Sequence, residues 1–348
     1  MMDSLLMVLV PLTMMAQVPS GATDPKGPVP AVQEPARPVS QQAPPAPPPD
    51  RRRREGTMVG YVDDAIVESK LRIRFDAGFE NTVPDRAEFF YPKCGCFGGD
   101  APGPQPGAAR DLDFQQLQLV GEYAFHDRVS AFAQVPLRWI QPQDFITVTL
   151  GGAPTGFSDS GGLGDIRVGA KFGLAASNTR HVTVQTQVFF PTGDAAKGLG
   201  TDHASFEPAL LYYQRVSNVI VLESQAGVWI PFGGSSGDPS FPDEDFAGNV
   251  FSYGIGSSFE VYDRGRVHVA PIVELVGWRV TGGLQTLDRP AVEDLLDLAE
   301  GTNIVNLKFG ARISIDRGSF YVGYGHALTD ATWYDSIFRL EYRYSFGR

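Results

Sequence analysis

The strongest constraint on the fold is an alternation of apolar and polar side chains that recurs about twelve times after residue 58. In Lys70–Glu80, Leu71, Ile73, Phe75, Ala77 and Phe79 alternate with Arg72, Arg74 and Asp76. Phe114–Phe125 sets Leu117, Leu119, Tyr123 and Phe125 against Gln116, Gln118 and Glu122. Successive side chains of a strand point to opposite faces, so each segment presents one greasy face and one polar face. The pattern continues through Val129–Trp139, Asp165–Leu174, Val182–Phe190, Ser205–Gln214 and Ile220–Ile230. It resumes in Val250–Val261, Val267–Trp278, Val305–Ile315, Phe320–Leu328 and Ile337–Phe346. An even number of such segments predicts an all-β chain: a transmembrane antiparallel barrel of about 12 strands.

The connections sharpen this reading. Short joints at 126–128, 176–180, 215–218, 262–266 and 316–319 alternate with longer ones at 81–113, 141–162, 191–204, 231–249, 279–304 and 329–336. A barrel inserted from the periplasm has short turns on that side and longer loops outside, with both termini on the short-turn side. A soluble sandwich or propeller has no reason to alternate in this way.

Composition removes other classes. The net charge of −11 argues against nucleic acid, whose phosphates need clustered Lys and Arg. Two Cys exclude a disulfide scaffold and zinc-finger arrays. After the extreme N-terminus, the sequence has no apolar run long enough for a membrane-spanning helix.

Residues 1–22 read as a signal peptide, with an apolar core from Leu5 to Leu12 and small residues at Ala16 and Ser20-Gly21-Ala22, although the only charge before the core is Asp3. Residues 23–57, dominated by Pro, Ala, Gln and Val and containing Arg51–Arg54, predict a disordered Pro-rich linker in the periplasm. The expected reading is a plain solvated tether; contact of the Arg run with peptidoglycan or anionic lipid is the alternative. The barrel is expected to occupy 58–348.

The last strand alternates Phe338, Leu340, Tyr342, Tyr344 and Phe346 with Arg339, Glu341, Arg343 and Ser345. Such a terminal strand resembles the signal read by the outer-membrane barrel assembly machinery, except that Gly347 and Arg348 follow the final Phe. Its rings, with Tyr123, Phe125, Phe172, Tyr212 and Phe259 at matching strand ends, predict a lower aromatic belt among outer-membrane lipid.

GGLGDIRVGAKFGL (161–174) and VTVQTQVFFPTGDAAKGLGTD (182–202) resemble the outer-membrane barrel family labelled for the MetA-pathway of phenol degradation, whose members are often called simply transporters. PDRAEFFYPKCGCFGG (84–99) and HASFEPALLYYQ (203–214) resemble a subgroup of it. The resemblance spans 58–348 and leaves the Pro-rich arm outside. It implies the barrel fold, the bacterial outer membrane and passive passage of a small-molecule solute, aromatic or otherwise apolar. It implies no catalytic residue and no cofactor.

Strand parity predicts an interior of mixed charge. Arg72, Arg74, Arg138, Arg167, Lys171, Lys308, Arg312, Arg339 and Arg343 share the inner face with Glu122, Glu207, Glu223 and Glu274. This suits a narrow, partly wet passage or a lumen locked by ion pairs. Trp139 has lipid-facing parity, whereas Trp229 and Trp278 share the parity of Glu223 and Glu274 and would line the mouth, unless a bulge near Pro231 turns them outward. In loop 279–304, PAVEDLLDLAEG predicts a short helix that could cap the opening or pack on a neighbouring loop.

Cys94 and Cys96 suggest local bracing by a strained disulfide, being too few ligands for a closed metal site. His203 and Ser205 raise the alternative of an outer-membrane lipid hydrolase, which would need the pair on the outer face with an orienting partner. Asp238, Asp243, Glu244 and Asp245 lack calcium-loop spacing and read as solvated loop charge. A structural barrel linked to the cell wall, without transport, is the remaining alternative.

Overall fold

The computed structural model describes residues 58, 60–82, 103–104, 109–145, 156–233, 242–286 and 296–346. Fourteen strand segments form one closed antiparallel sheet. In chain order they are β1 (Lys70–Asn81), β2 (Ala109–His126), β3 (Val129–Phe145), β4 (Ser160–Leu163), β5 (Ile166–Ala176), β6 (Arg180–Phe190), β7 (Ala204–Arg215), β8 (Ile220–Phe232), β9 (Val250–Phe259), β10 (Tyr262–Arg264), β11 (Val267–Val280), β14 (Asn303–Ile315), β15 (Gly318–Ala327) and β16 (Ser336–Ser345). β12 (Leu284–Thr286) and β13 (Leu296–Leu298) form a separate hairpin.

Each barrel strand pairs with its neighbour in sequence, and β16 closes the ring on β1 from Lys70↔Ser345 to Phe79↔Ser336. β4 and β5 continue one another along β3, broken at Gly164-Asp165, and β9 and β10 do so along β11. The wall is therefore a closed barrel of 12 strands. Closure pairs every strand edge, the condition for strands to cross hydrocarbon.

The two-residue turns are Asp127-Arg128, Gly265-Arg266 and Asp316-Arg317. Tight hairpins draw on left-handed backbone, which Gly265 supplies at φ 65° and Asp316 at φ 54°. The Arg266 guanidinium grips the Asp316 carboxylate across adjacent turns. β2 and β3, at 18 and 17 residues, exceed what crossing requires, so their far ends continue as a two-stranded ribbon beyond the pairings of their neighbours. The exposed Arg110–Asp144 pair lies on that extension, 2.9 Å apart.

Apolar side chains cover the outside. Leu71, Ile73, Val168, Leu210, Ile255, Phe309 and Leu340 are all exposed, which in water would be an aggregating surface. Toward the short-turn end, exposed rings gather: Tyr123 and Phe125 meet edge to face at 5.2 Å, and Phe320 and Tyr342 lie 4.7 Å apart. Trp139 faces outward and is 42% exposed.

The sequence-based expectations need two corrections here. Leu296–Leu298, inside the expected helix, is a strand paired with Leu284–Thr286, because the two short segments satisfy their backbone groups on each other as a hairpin. Residues 287–295 lie outside the described residues. Second, described residues 58 and 60–69 are not part of the wall: they run inside it.

Candidate functional site

The lower half of the lumen, toward the short turns, is filled by the chain segment that precedes β1. Met58 sits low, where the Arg312 Nε donates to its carbonyl at 2.9 Å. The chain climbs to mid-height, where the Glu274 carboxylate accepts from the backbone N–H groups of Gly60 (3.2 Å), Tyr61 (2.9 Å) and Val62 (2.8 Å). It then descends to β1. Arg339 donates to the Gly60 carbonyl at 2.6 Å, Lys171 to that of Asp64 at 2.7 Å and Thr183 to that of Ala65 at 2.5 Å. Glu223 accepts from the Met58 N–H at 3.2 Å and Gln225 from the Asp63 N–H at 2.6 Å.

The wall thus grips this plug mainly by its main chain. A buried carboxylate survives without water only when hydrogen-bonded or paired, and here three peptide N–H groups serve Glu274. The plug's own charges complete the match: Asp64 pairs with Lys70 and lies 3.7 Å from Arg343.

Around the plug, the predicted interior charges form clusters. Glu341 accepts from Arg312 at 2.8 Å and Arg343 at 3.0 Å, with Arg72 at 3.8 Å. Glu122 takes Lys171 at 3.2 Å, Lys70 at 3.4 Å and the Ser130 hydroxyl at 2.7 Å. Arg339 holds Asp76 through two parallel bonds of 2.6 and 3.0 Å, and Arg74 approaches the same carboxylate at 3.1 Å. Arg312 is 0% exposed, so its charge depends wholly on these contacts.

Glycines make room for the plug. Gly310 and Gly323 are register partners, and the Tyr321 side chain lies over both; a Cβ on either would come within 2.4 Å of its hydroxyl oxygen. The ring of the same side chain packs on Gly60 of the plug, where a Cβ would meet it at 2.2 Å. The expected narrow wet passage is therefore absent from the lower half: the space it would use holds chain.

Above the plug the lumen changes character. A chamber of about 230 Å³ opens there, with Tyr61 and Asp63 of the plug in its floor. Tyr61 lies between two cations, with Lys308 Nζ 3.7 Å and the Arg339 guanidinium 3.8 Å from its ring centre. Lys308 also donates to the Tyr334 hydroxyl at 2.5 Å. Trp278 packs on Trp333 at 4.9 Å and on Tyr334 at 6.4 Å; Trp229 meets Phe189 at 6.5 Å and His203 at 5.6 Å. Arg138 donates to Gln116 from Nε and Nη2 at 3.0 and 2.9 Å, while the Arg167 guanidinium lies 4.4 Å above the Phe189 ring. Glu207 accepts from Gln187 at 2.6 Å.

The candidate residues therefore divide between two levels. Arg74, Arg138, Arg167, Glu207, Trp229, Trp278, Lys308 and Arg339 line the chamber. Glu274 binds the plug from mid-height, and Arg72, Glu122, Lys171, Glu223, Arg312 and Arg343 surround the plug or its ion-pair clusters below. Trp229, 6% exposed, faces inward with Trp278, so no bulge turns them to the lipid.

Sequence reasoning missed Tyr61, Asp63, Phe189, Trp333 and Tyr334 as chamber residues. For Phe189 the signal was present, since it shares parity with Gln185 and Gln187; Tyr61 stands outside any strand and gave none.

His203 and Ser205 are buried at the inner side of the rim, and burial holds the His203 imidazole below its usual range. They do not meet the outer-face requirement of a lipid hydrolase. Cys94, Cys96 and Asp238 lie outside the described residues. Asp243 and Asp245 are exposed, and among the described residues no group of His, Cys, Asp and Glu could hold a metal ion.

Closed wall, apolar exterior and charged interior define the class: a transmembrane β-barrel, the fold of outer-membrane proteins. Residues 101–231 match the family described as "Putative MetA-pathway of phenol degradation". Segments 161–174, 182–202 and 203–214, which resemble that family, fall inside the match, and 84–99 falls before it. No curated protein matches the chain.

Among solved structures, it is similar to an outer membrane channel from Pseudomonas putida F1, at 13% identity over 80% of this chain and 96% of that one, with TM-score 0.49. It is also similar to the beta domain of the Bordetella autotransporter BrkA (15% identity, 80% and 100% covered, TM-score 0.45) and to LpxR from Salmonella typhimurium (10%, 80% and 100%, TM-score 0.40).

Proposed function

We propose that this protein is an outer-membrane channel for small molecules, closed from the periplasmic side by its own N-terminal segment. One observation carries the reading. A solvent-open chamber sits directly above a plug that wall side chains hold by hydrogen bonds and ion pairs, with no wall strand continuing through it. The segment belongs to no wall strand, so it can leave while every strand pairing of the barrel stays in place. The alternation of short turns and long loops supports a periplasmic position for the plugged end. Assembly through the terminal strand β16, which closes on β1, fits the same orientation.

The chamber's rings suit aromatic or otherwise apolar solutes. The reading is non-enzymatic: His203 and Ser205 face the lumen, away from lipid acyl chains.

Planar-bilayer conductance and liposome swelling test the proposal. The full-length protein should give low permeability with brief openings, and a variant lacking 58–69 should give sustained permeability to small solutes. If that variant migrates as a folded, heat-modifiable barrel yet passes no solute, the channel reading is wrong.

A further inference from the structure

We infer that a groove on the outer face of the wall, at the short-turn end of β14, β15 and β16, binds the headgroup of an anionic phospholipid in the adjoining leaflet. The inference goes beyond the channel reading and holds whether or not the barrel conducts. It starts from a missing side chain. Ile315, Gly318, Tyr344 and Leu71 are successive register partners across four strands, and all but Gly318 put an exposed apolar or aromatic side chain on the outer face. Phe320 and Tyr342 close the next row, and a Cβ on Gly318 would lie 3.3 Å from the Tyr342 hydroxyl. The result is an open groove of about 440 Å³, floored by Gly318 and flanked by Ile315, Phe320, Tyr342 and Tyr344.

Charge is confined to one end of it. There the Asp316-Arg317 turn lines the groove. The turn is fixed by the Ser345 N–H, which donates to the Arg317 carbonyl at 2.8 Å, and by its own Asp316 N–H, which donates to the Arg266 carbonyl at 3.1 Å. Asp316 is the one carboxylate in the lining among the described residues, and the Arg266 guanidinium already holds it. Arg317 has no carboxylate partner among the described residues. Two guanidiniums against one carboxylate leave this end positive, at the level where the exposed rings mark the membrane–water interface and lipid headgroups lie. A phosphodiester matches the guanidinium fork, and its acyl chains would run on over Ile313 and Val322, exposed on the same face. The ammonium of a zwitterionic lipid would find the single carboxylate taken. The glycerol of phosphatidylglycerol instead brings hydroxyls, which the Tyr342 hydroxyl can meet.

Native mass spectrometry of the folded full-length protein, in micelles holding equal amounts of phosphatidylglycerol and phosphatidylethanolamine, tests this. Phosphatidylglycerol should be retained about fivefold over phosphatidylethanolamine, the scale of one Arg near an anionic lipid surface. Arg317→Gln, at an exposed turn, should bring the two lipids to parity. Gly318→Val fills the groove without altering a charge and should lower retained phosphatidylglycerol by a similar factor. Arg180→Gln, at the start of β6 on the opposite side of the ring, should leave the preference unchanged.

Equal retention of the two lipids by the wild type overturns the proposal, as does an unchanged preference in Arg317→Gln. Loss of the preference in Arg180→Gln also overturns it, since scattered charge at the rim would then suffice. Displacement of phosphatidylglycerol by inorganic phosphate alone would show an anion site and defeat the lipid assignment. Should Gly318→Val lose the heat-modifiable migration of a folded barrel, the two charge variants decide.

Discussion

Below mid-height the lumen holds a strip of main chain gripped by Glu274, Arg312, Arg339 and Lys171; above it, seven aromatic side chains, Tyr61 of the plug among them, surround open space. Both levels are built on the same strands: β8 contributes Glu223 below and Trp229 above, and β11 contributes Glu274 at mid-height and Trp278 above. The contrast shows how a barrel of this size serves two ends. Charges that reach across a narrow lumen must find partners, and the plug supplies peptide groups for them. Aromatic ring faces need no counter-charge, so they can frame a cavity that stays available.

Several measurements can break or sharpen this contrast. The largest effect should come from removing 58–69, which converts a quiet barrel into a conducting one and strands Glu274 and Arg339 without their peptide partners. Next is Glu274→Ala. It removes the acceptor for three N–H groups and should destabilise the seated plug by about 3–5 kcal/mol, read as a lower melting temperature in detergent together with frequent openings. Gly60→Ala drives a Cβ into the Tyr321 ring and should cost about 1–3 kcal/mol, with openings of intermediate frequency.

Trp278→Leu, in the chamber, should leave conductance near wild type, because it loosens aromatic packing without freeing the plug. A chamber substitution that opened the channel as widely as Glu274→Ala would end the distinction between the levels. Smallest of all, Arg266→Ala at an exposed turn should change neither melting nor conductance.

Much of the wall was legible in the sequence. Leu71, Ile73 and Phe75 alternate with Arg72, Arg74 and Asp76 because one face meets hydrocarbon and the other does not, a local requirement repeated at each strand. The turns were legible for the same reason: Gly265 and Asp316 stand where backbone must enter left-handed space. The plug was not. Residues 58–69 are neither alternating nor helical, and their seat depends on carbonyl and N–H groups that every sequence carries. Leu296–Leu298 misled in the opposite way, since a short apolar run between Pro290 and Gly301 suits a helix or a hairpin equally until its partner at Leu284–Thr286 is known.

By itself, then, the sequence determined the barrel, its strand number and the two sides of its wall, since period-two patterning is a property of neighbouring residues. Only the tertiary structure decided what occupies the interior. Whether a lumen is open, plugged or shaped into a chamber depends on contacts such as Gly60 with Tyr321 and Arg339, 279 residues away in the case of Arg339. Closure of the ring brings those groups together, and no local pattern records it.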